Sequence, residues 1–361
     1  MICIVIASLY LLIDFILFYA TSLIIKKEYD SSDSVNVSVI IAARNEAENL
    51  EKHLPLILKQ NYFNFEVIVV DDQSIDNTEE IVLKMISNYS HLKYFKINQN
   101  IKSSKKHALT KGIEIAKYDH LIFTDADCKP LSDNWLKTFQ IYFNNQNSIV
   151  LGYSPYKQID SRLNRIIRFE TYQTALNYFG FAKLGLAYMG VGRNLGYTKS
   201  VFAHSNGFQA HQNMLSGDDD LLVNQVAGQF IISCCLEPES FVESKPKTTF
   251  KSWIDQKRRH YTTAPKYKLF HQLLLGFQFL VKFLFCFLVF PICLFSLINQ
   301  DYLPSIFLFS GLIFKLFFSK SLFKKFMVKD LWLYSFVLEI QLICLQLYIF
   351  SLNLVSTRKK W

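Results

Sequence analysis

Long apolar runs near both ends of the chain limit what it can fold into. Residues 2–25 form an apolar stretch in which Asp14 is the only charge, and a helix needs about 20 such residues to cross a bilayer. A cleaved signal peptide is the alternative, but neither a basic leading region nor a small-residue cleavage site is clear. We therefore expect an uncleaved transmembrane anchor over residues 1–27. Because Lys26 and Lys27 follow at once, the positive-inside rule places the next domain in the cytoplasm.

Three further apolar runs, each carrying one charge, follow residue 268: 271–298 with Lys282, 303–319 with Lys315, and 331–354 with Glu339. We expect two or three transmembrane helices within 268–356, because the second run is marginal in length. A cytoplasmic loop between the second and third runs is indicated by Lys320, Lys324, Lys325 and Lys329. Three spans would leave the basic residues 358–360 outside, against the same rule. Either the second run is re-entrant or interfacial, or the tail is a minor violation.

The composition excludes several classes of protein. With 51% hydrophobic residues, the chain is too apolar for disordered or collagen-like proteins and for an ordinary soluble one. The net charge of +9 is not gathered in an arginine-rich, aromatic-interleaved face, so we expect no nucleic-acid partner. The seven cysteines include no CxxC spacing, which fits a reducing, cytosol-facing domain.

The block between the membrane segments, residues 36–265, alternates short apolar runs with amphipathic stretches. This pattern is typical of an α/β domain with a mostly parallel sheet. Three buried strands are predicted: VSVIIAA at 37–43, FEVIVVDD at 65–72 and HLIFTDAD at 120–127. Ligands of such sheets bind at the carboxyl ends of the strands.

Acidic residues stand at two of these strand ends. Asp71 and Asp72 end the second run, and Asp125 and Asp127 end the third. Acids after a strand often only cap the next helix, and a DxD pattern can be an ordinary acidic turn. At the end of an apolar strand, however, the second pair would repel unless a cation lies beside it. Oxygen ligands of this kind suit Mg2+ or Mn2+.

Two charged motifs follow later in the block. Residues 217–222 read GDDDLL, where one acid would suffice as a helix cap and three suggest a general base. Residues 256–260 read QKRRH, in which Gln256 and Arg259 would share a helical face and could hold a diphosphate. A polybasic stretch attracted to anionic lipid is the alternative for this second motif.

Six motifs in this order resemble the family 2 glycosyltransferases with the GT-A fold, in particular their membrane-anchored bacterial members. The matching segments are SVIIAARNEAENL at 38–50, VIVVDDQSIDNT at 67–78, SKKHALTKGI at 104–113, FTDADC at 123–128, GDDDLL at 217–222 and QKRRH at 256–260. Together they cover nearly the whole block.

The resemblance implies a role for each matching residue. Contacts to the base, ribose or diphosphate of a UDP- or GDP-sugar donor are implied for Ala43, Arg44, Glu46, Asp71 or Asp72, Lys105, Asp125, Gln256 and Arg259. Asp125 and Asp127 look like the DxD pair, with Asp127 on the Mg2+ or Mn2+ ion. Asp218 and Asp219 look like the acid pair whose second member, Asp219, is the catalytic base.

One departure from the family concerns processivity. The Gln-x-x-Arg-Trp motif of processive polysaccharide synthases has His260 in place of Trp, and His offers a smaller stacking face to a sugar chain. We therefore expect single, inverting transfer to a lipid-linked or membrane-associated hydroxyl, by a multi-pass protein of the inner (cell) membrane. The alternatives are a processive synthase, a non-catalytic membrane scaffold or sugar-binding subunit, and a nucleotidyltransferase. The last would be expected to carry a glycine-rich loop after the first strand, and AARNEAEN has no glycine.

Overall fold

The computed structural model describes residues 2–28, 34–98, 103–143, 148–300 and 302–355. The basic tail residues Arg358, Lys359 and Lys360, which bear on the predicted topology, lie outside these described residues. The chain forms two compact units. The sheet unit takes residues from 24–157 and 185–247, and the helical unit takes residues from 2–23, 158–184 and 248–355.

Within the described residues, the sheet unit contains a seven-stranded sheet and a two-stranded one. The strands are β1 (Val37–Ala43), β2 (Phe65–Asp71), β3 (Leu92–Lys96), β4 (His120–Phe123), β5 (Cys128–Pro130), β6 (Ser148–Leu151), β7 (Leu195–Thr198), β8 (Ile231–Cys234) and β9 (Val242–Ser244). The large sheet has the order β3-β2-β1-β4-β7-β6-β8. All its pairings are parallel except those that β7 makes with β4 and β6. The prediction of a mostly parallel α/β sheet is confirmed.

The central strands form where the sequence is continuously β-branched. All seven residues of β2 are buried, as are six of the seven in β1, as expected for strands with helices on both faces. The helices of this unit are α2 (Ala47–Leu58), α3 (Thr78–Ile86), α4 (Lys105–Ile115), α5 (Trp135–Gln140), α7 (Lys199–His204) and α8 (Asp220–Val226). The loops after β1, β2 and β4 thus open at one edge of the sheet.

The observed strands differ from the prediction in one boundary and in several strands that were not predicted. The predicted strand over 120–127 ends at Phe123, because the chain then turns: the Cys128 amide donates to the Asp125 carbonyl at 3.1 Å. Cys128 begins β5, which pairs with β9. The edge strand β3 was not predicted, and neither were β5 to β9. Asp125 and Asp127 therefore lie in a turn after β4 and not within a strand.

The helical unit contains α1 (Ile2–Ser22), α6 (Arg162–Lys183), α9 (Phe250–His260), α10 (Leu269–Leu284), α11 (Phe290–Ile298), α12 (Tyr302–Lys325) and α13 (Ser335–Val355). A π-helical turn joins α10 to α11. Four segments in the described part of the chain are long and apolar enough to cross a membrane: Ile2–Ser22, Leu269–Ile298, Tyr302–Lys325 and Lys329–Val355. The marginal run 303–319 therefore belongs to a longer helix. The predicted domain boundaries at residues 27, 36, 265 and 268 stay predictions. By their packing, α6 and α9 belong to the helical unit.

The four isolated charges of the apolar runs meet in this unit. Lys315 Nζ lies 2.6 Å from Asp14 Oδ2 and 2.9 Å from Glu339 Oε2. Lys282 Nζ lies 3.1 Å from Glu339 Oε1 and 3.5 Å from Asp14 Oδ1. The Tyr10 hydroxyl donates to Glu339 Oε2 at 2.6 Å. We call Asp14, Lys282, Lys315 and Glu339 the helical charge cluster.

Candidate active site

The loops after β1 and β2 interlock at the edge of the sheet. Asn45 and Gln73, each two residues beyond a strand, have positive φ angles of 56° and 62°. Asn45 donates its amide to Ser74 Oγ at 2.9 Å, and its side-chain oxygen accepts from the Ile75 amide at 2.9 Å. Ala43 ends β1 and is buried, and the carboxylate of Glu46 accepts from Asn49 at 2.6 Å. Burial raises the pKa of Glu46.

The two acids that end β2 differ in what they contact. Asp71 is engaged within the fold, since its carboxylate accepts from the Tyr94 hydroxyl at 2.6 Å and the Ser74 amide at 2.8 Å. Asp72 Oδ2 accepts from Ser103 Oγ at 2.7 Å, and Ser103 accepts in turn from Arg44 at 2.5 Å. Asp72 Oδ1 is buried without a hydrogen-bond partner among the described residues. Asp72 is therefore the better candidate for a ligand contact, and the roles of Arg44 and Asp72 stay predictions.

The turn after β4 gathers three groups that could hold a metal ion. Their ligand atoms, from Asp125, Asp127 and Cys128, all lie within 4.8 Å of one another. Burial, and then the carboxylate of Asp125, raise the pKa of Asp127. The Cys128 thiol donates to Asp127 Oδ1 at 3.3 Å. A buried carboxylate whose ionisation is opposed by a neighbouring carboxylate fits a divalent cation.

Lys105, at the first turn of α4, links this turn to the GDDD motif. Its Nζ lies 2.8 Å from Asp125 Oδ1 and 2.9 Å from Asp218 Oδ2. Burial acts against ionisation of Asp218, but the Lys105 ammonium lowers the pKa of that carboxyl below its ordinary value. The three side chains line one small cavity together with Gly192 and Asp219. The structure thus brings together the predicted site residues Lys105, Asp125, Asp218 and Asp219.

Asp219 is held at the N-terminus of α8. Its carboxylate accepts from the Gly192 amide at 2.7 Å and from the Asp220 amide at 2.8 Å. Burial, and then the carboxylates of Asp218 and Asp220, raise the pKa of Asp219 to about 7. The turn that delivers these acids contains Gly217 with a φ of 100°, a conformation that favours glycine. A carboxylate with a pKa near neutrality is suited to general-base catalysis.

Two residues of this site were missed in the sequence. Lys106 is buried, and its Nζ donates to the carbonyls of His211, Met214 and Ser216 at 2.6, 3.1 and 2.7 Å. It thereby holds the segment that leads into Gly217. Only the position of Lys106 beside Lys105 could have marked it.

Arg193 is the second residue that was missed. Its guanidinium carbon lies 4.3 Å above the Tyr156 ring, and its charge interacts with the carboxylates of Asp125 and Asp127. Arg193 lies in the segment MGVGRNL at 189–195, which belongs to none of the six matching motifs. Its partners lie far away in the sequence, so no local pattern marks it.

Gln256 and Arg259 lie on α9, in the helical unit. They are three residues apart on one helix, as predicted, and Arg259 Nε is buried without a hydrogen-bond partner among the described residues. Their neighbours Lys257 and Arg258 are engaged within the unit: Lys257 with Glu170 at 2.6 Å and Arg258 with Asn353 at 3.0 Å. These contacts weigh against a purely lipid-facing basic stretch. A role for Gln256 and Arg259 at the diphosphate stays a prediction.

The fold has a known counterpart. A mannosyltransferase from Pyrobaculum calidifontis, solved in complex with GDP-Man and Mn2+, superimposes with a TM-score of 0.58 at 17% sequence identity, covering 94% of this chain and 98% of the other. At that identity, the likeness shows the fold alone. The chain therefore has the GT-A fold.

Residues 38–204 match the model of Glycosyl transferase family 2. Poly-beta-1,6-N-acetyl-D-glucosamine synthase of Staphylococcus aureus is 31% identical over 125 residues, which is 33% of this chain and 30% of the relative. The synthase of the same name from Staphylococcus epidermidis is 32% identical over 107 residues, covering 29% of this chain and 24% of the relative. The matched segment thus spans less than a third of these curated relatives.

Proposed function

We propose that the chain is an inverting glycosyltransferase that moves one sugar from a nucleoside-diphosphate sugar to a hydroxyl of a lipid-linked or membrane-associated acceptor. The observation that carries this proposal is the cavity in which Asp219, with a pKa raised to about 7, lies beside Asp125, Asp218 and Lys105. The family 2 domain supplies the reaction class.

In the proposed step, Asp219 accepts the proton of the acceptor hydroxyl. The hydroxyl oxygen forms a bond to the anomeric carbon of the donor, on the face opposite the diphosphate, while the bond from that carbon to the diphosphate oxygen breaks. The Gly192 and Asp220 amides orient the Asp219 carboxylate for this transfer. Lys105 keeps the neighbouring Asp218 ionised, so the two adjacent acids have different roles.

A divalent cation, Mg2+ or Mn2+, fits the acids of the turn after β4. Asp127 and Asp125 would hold it, and when bound it would neutralise charge on the departing diphosphate. The two carboxylates support this assignment, because they lie close together and hard oxygen ligands suit these ions. Asp72 and Arg44 would contact the base or ribose of the donor, and Gln256 and Arg259 its diphosphate.

Processive polymer synthesis is the second candidate. The matching Staphylococcus proteins are named as polysaccharide synthases, which favours it, whereas His260 in place of the family's Trp favours single transfer. The four apolar helices indicate a membrane protein. We further propose that it lies in the cell membrane with the sheet unit in the cytoplasm, as Lys26 and Lys27 after the first helix suggest.

The test uses the full-length protein in nanodiscs with UDP-N-acetylglucosamine, UDP-glucose or GDP-mannose, Mn2+ and a membrane lipid extract. We expect release of UDP or GDP and a lipid product heavier by one sugar in mass spectrometry. Activity should be lost in Asp127→Ala and kept in the exposed control Asp133→Ala. A ladder of sugar additions would establish the processive alternative, and donor binding without release of UDP or GDP would favour a scaffold or sugar-binding subunit.

A further inference from the structure

Arg193 is a cation of the sheet unit whose guanidinium packs on an aromatic ring. Its guanidinium lies 4.3 Å above the Tyr156 ring, a stacking arrangement that orients the planar group. Its Nη1 is buried and has no hydrogen-bond partner among the described residues. A buried guanidinium N–H that lacks an acceptor is costly, which marks it as a group suited to an external anion.

The position of Arg193 indicates which anion it would meet. The guanidinium acts electrostatically on Asp125 and Asp127, the two acids proposed to hold the metal ion. It follows Gly192, whose amide donates to the proposed base Asp219 at 2.7 Å. The segment 192–193 therefore places one backbone donor on the base and one cationic side chain near the metal-binding acids.

A metal ion bound by these acids would carry a diphosphate on its open positions. A diphosphate held there would also interact with the charge of Arg193, which acts on the same two acids. Arginine suits this task because its planar fork of donors matches phosphate oxygens. The simple ion pair with Asp125 or Asp127 is not formed: no salt bridge to Arg193 is found within the described residues.

We propose that Arg193 contacts the diphosphate of the nucleotide-sugar, with Tyr156 as the stacking platform that aims its guanidinium. This assignment rests on the proposed function, and it adds to the site a residue that none of the six sequence motifs contains. Arg193 thus serves donor binding and stabilises the leaving diphosphate, while Asp219 serves the acceptor.

The test measures the binding of UDP and GDP, in the presence of Mn2+, to the full-length protein by isothermal titration calorimetry. We expect Arg193→Met to weaken binding of the preferred nucleotide by about 10–100-fold, the loss typical of a hydrogen-bonded charge contact. Arg193→Lys, which keeps the charge but not the planar fork, should give an intermediate loss. The control Arg165→Met removes an exposed arginine that pairs with Asp160 and should bind as wild type.

A second measurement separates this role from a structural one. Binding of Mn2+ alone, followed by the electron paramagnetic resonance of the free ion, should be unchanged or tighter in Arg193→Met, because a positive charge near the acids is removed. Nucleotide affinity within twofold of wild type, or parallel loss of Mn2+ and nucleotide binding, would overturn the assignment. A wild-type protein that binds neither UDP nor GDP would instead overturn the proposed function.

Discussion

Two clusters of charged side chains in this molecule are built on opposite principles. The acid cluster of the sheet unit comprises Asp125, Asp127, Asp218 and Asp219 with the cations Lys105 and Arg193. The helical charge cluster comprises two carboxylates and two lysines, each supplied by a different apolar segment. The first therefore carries two more negative than positive charges, and the second is balanced.

The difference separates a cluster suited to a ligand from one that holds helices together. Charges within apolar helices are costly and persist when they pair with one another, as Asp14, Lys282, Lys315 and Glu339 do. In the acid cluster, burial and then the neighbouring carboxylates raise the pKa values of Asp127 and Asp219. An excess of two negative charges is what a divalent cation would neutralise.

The largest effect is expected at the proposed base. Asp219→Asn keeps the shape of the side chain and removes its ability to accept a proton, so kcat should fall by about 10²–10⁴-fold. The measurement is release of UDP or GDP from the donor that the wild type uses. Asp133→Asn, the same change at an exposed site of the same unit, should leave kcat unchanged. If Asp219→Asn binds donor and still transfers at a near wild-type rate, the base lies elsewhere.

The balance of the helical charge cluster is tested by removing one charge and then its partner. Lys315→Met leaves Asp14 and Glu339 with one lysine and should destabilise the helical unit by about 3–5 kcal/mol, as for other broken buried pairs. Lys315→Met combined with Asp14→Asn restores the balance and should recover most of that loss. Thermal unfolding of the full-length protein in detergent, followed by size-exclusion chromatography, measures both.

Additive losses in that double variant would contradict a paired cluster. The exposed Lys324→Met, on the same helix as Lys315, serves as the matched control and should unfold at the wild-type temperature. The two clusters should thus respond in opposite ways: charge removal costs stability in the balanced cluster and activity in the unbalanced one.

A smaller effect is expected at Lys106, which holds the segment before Gly217 by three hydrogen bonds to carbonyls. Lys106→Met should displace Asp218 and Asp219 and lower kcat by about 10–100-fold, since misplacement of a catalytic group by about 1 Å can cost that much. The affinity for UDP or GDP should change by less than twofold. Lys111→Met on the same helix, where Lys111 pairs with Glu114 at the surface, is the control.

Two further measurements distinguish a positioning role of Lys106 from a purely structural one. Hydrogen exchange of peptides covering 206–217 should speed up in Lys106→Met and not in Lys111→Met, whether or not a donor is known. Lys106→Arg, which can still donate to several carbonyls, should recover part of kcat. Unchanged exchange over 206–217 would mean that Lys106 does not hold this segment.

The sequence predicts one of these clusters better than the other. The strands β1 and β2 could be predicted from their continuous β-branched runs. The acids that end the second run and those of the GDDD motif are visible directly in the sequence. The strand β3 was missed because LKYFK is short, contains two lysines and has no β-branched residue. The end of β4 was misplaced because the turn at Asp125 depends on the pairing of β5 with β9.

Contacts between distant residues explain what else was missed. Each charge of the helical cluster is visible as an isolated charge in an apolar run, yet the pairing of Asp14 with Lys315 joins residues some 300 positions apart. Likewise, Arg193 is oriented by its contact with Tyr156, and Lys106 donates to carbonyls within residues 211–216. Such contacts arise from packing, which no local pattern contains.

The last expected effect, and the one that bears most directly on the excess negative charge, is a pH dependence. Burial and the neighbouring acids raise the pKa of Asp219 to about 7, so below that pH the carboxyl is increasingly protonated and cannot accept a proton. The ratio kcat/KM should therefore rise about tenfold per pH unit up to about pH 7 and then level off. Because a bound cation lowers the pKa of a nearby carboxyl, the corresponding limb of kcat, measured with saturating donor and Mn2+, should lie at lower pH. A kcat/KM profile that is flat from pH 5.5 to 7.5 would contradict the raised pKa, and coincident limbs would place the cation too far from Asp219 to share its charge.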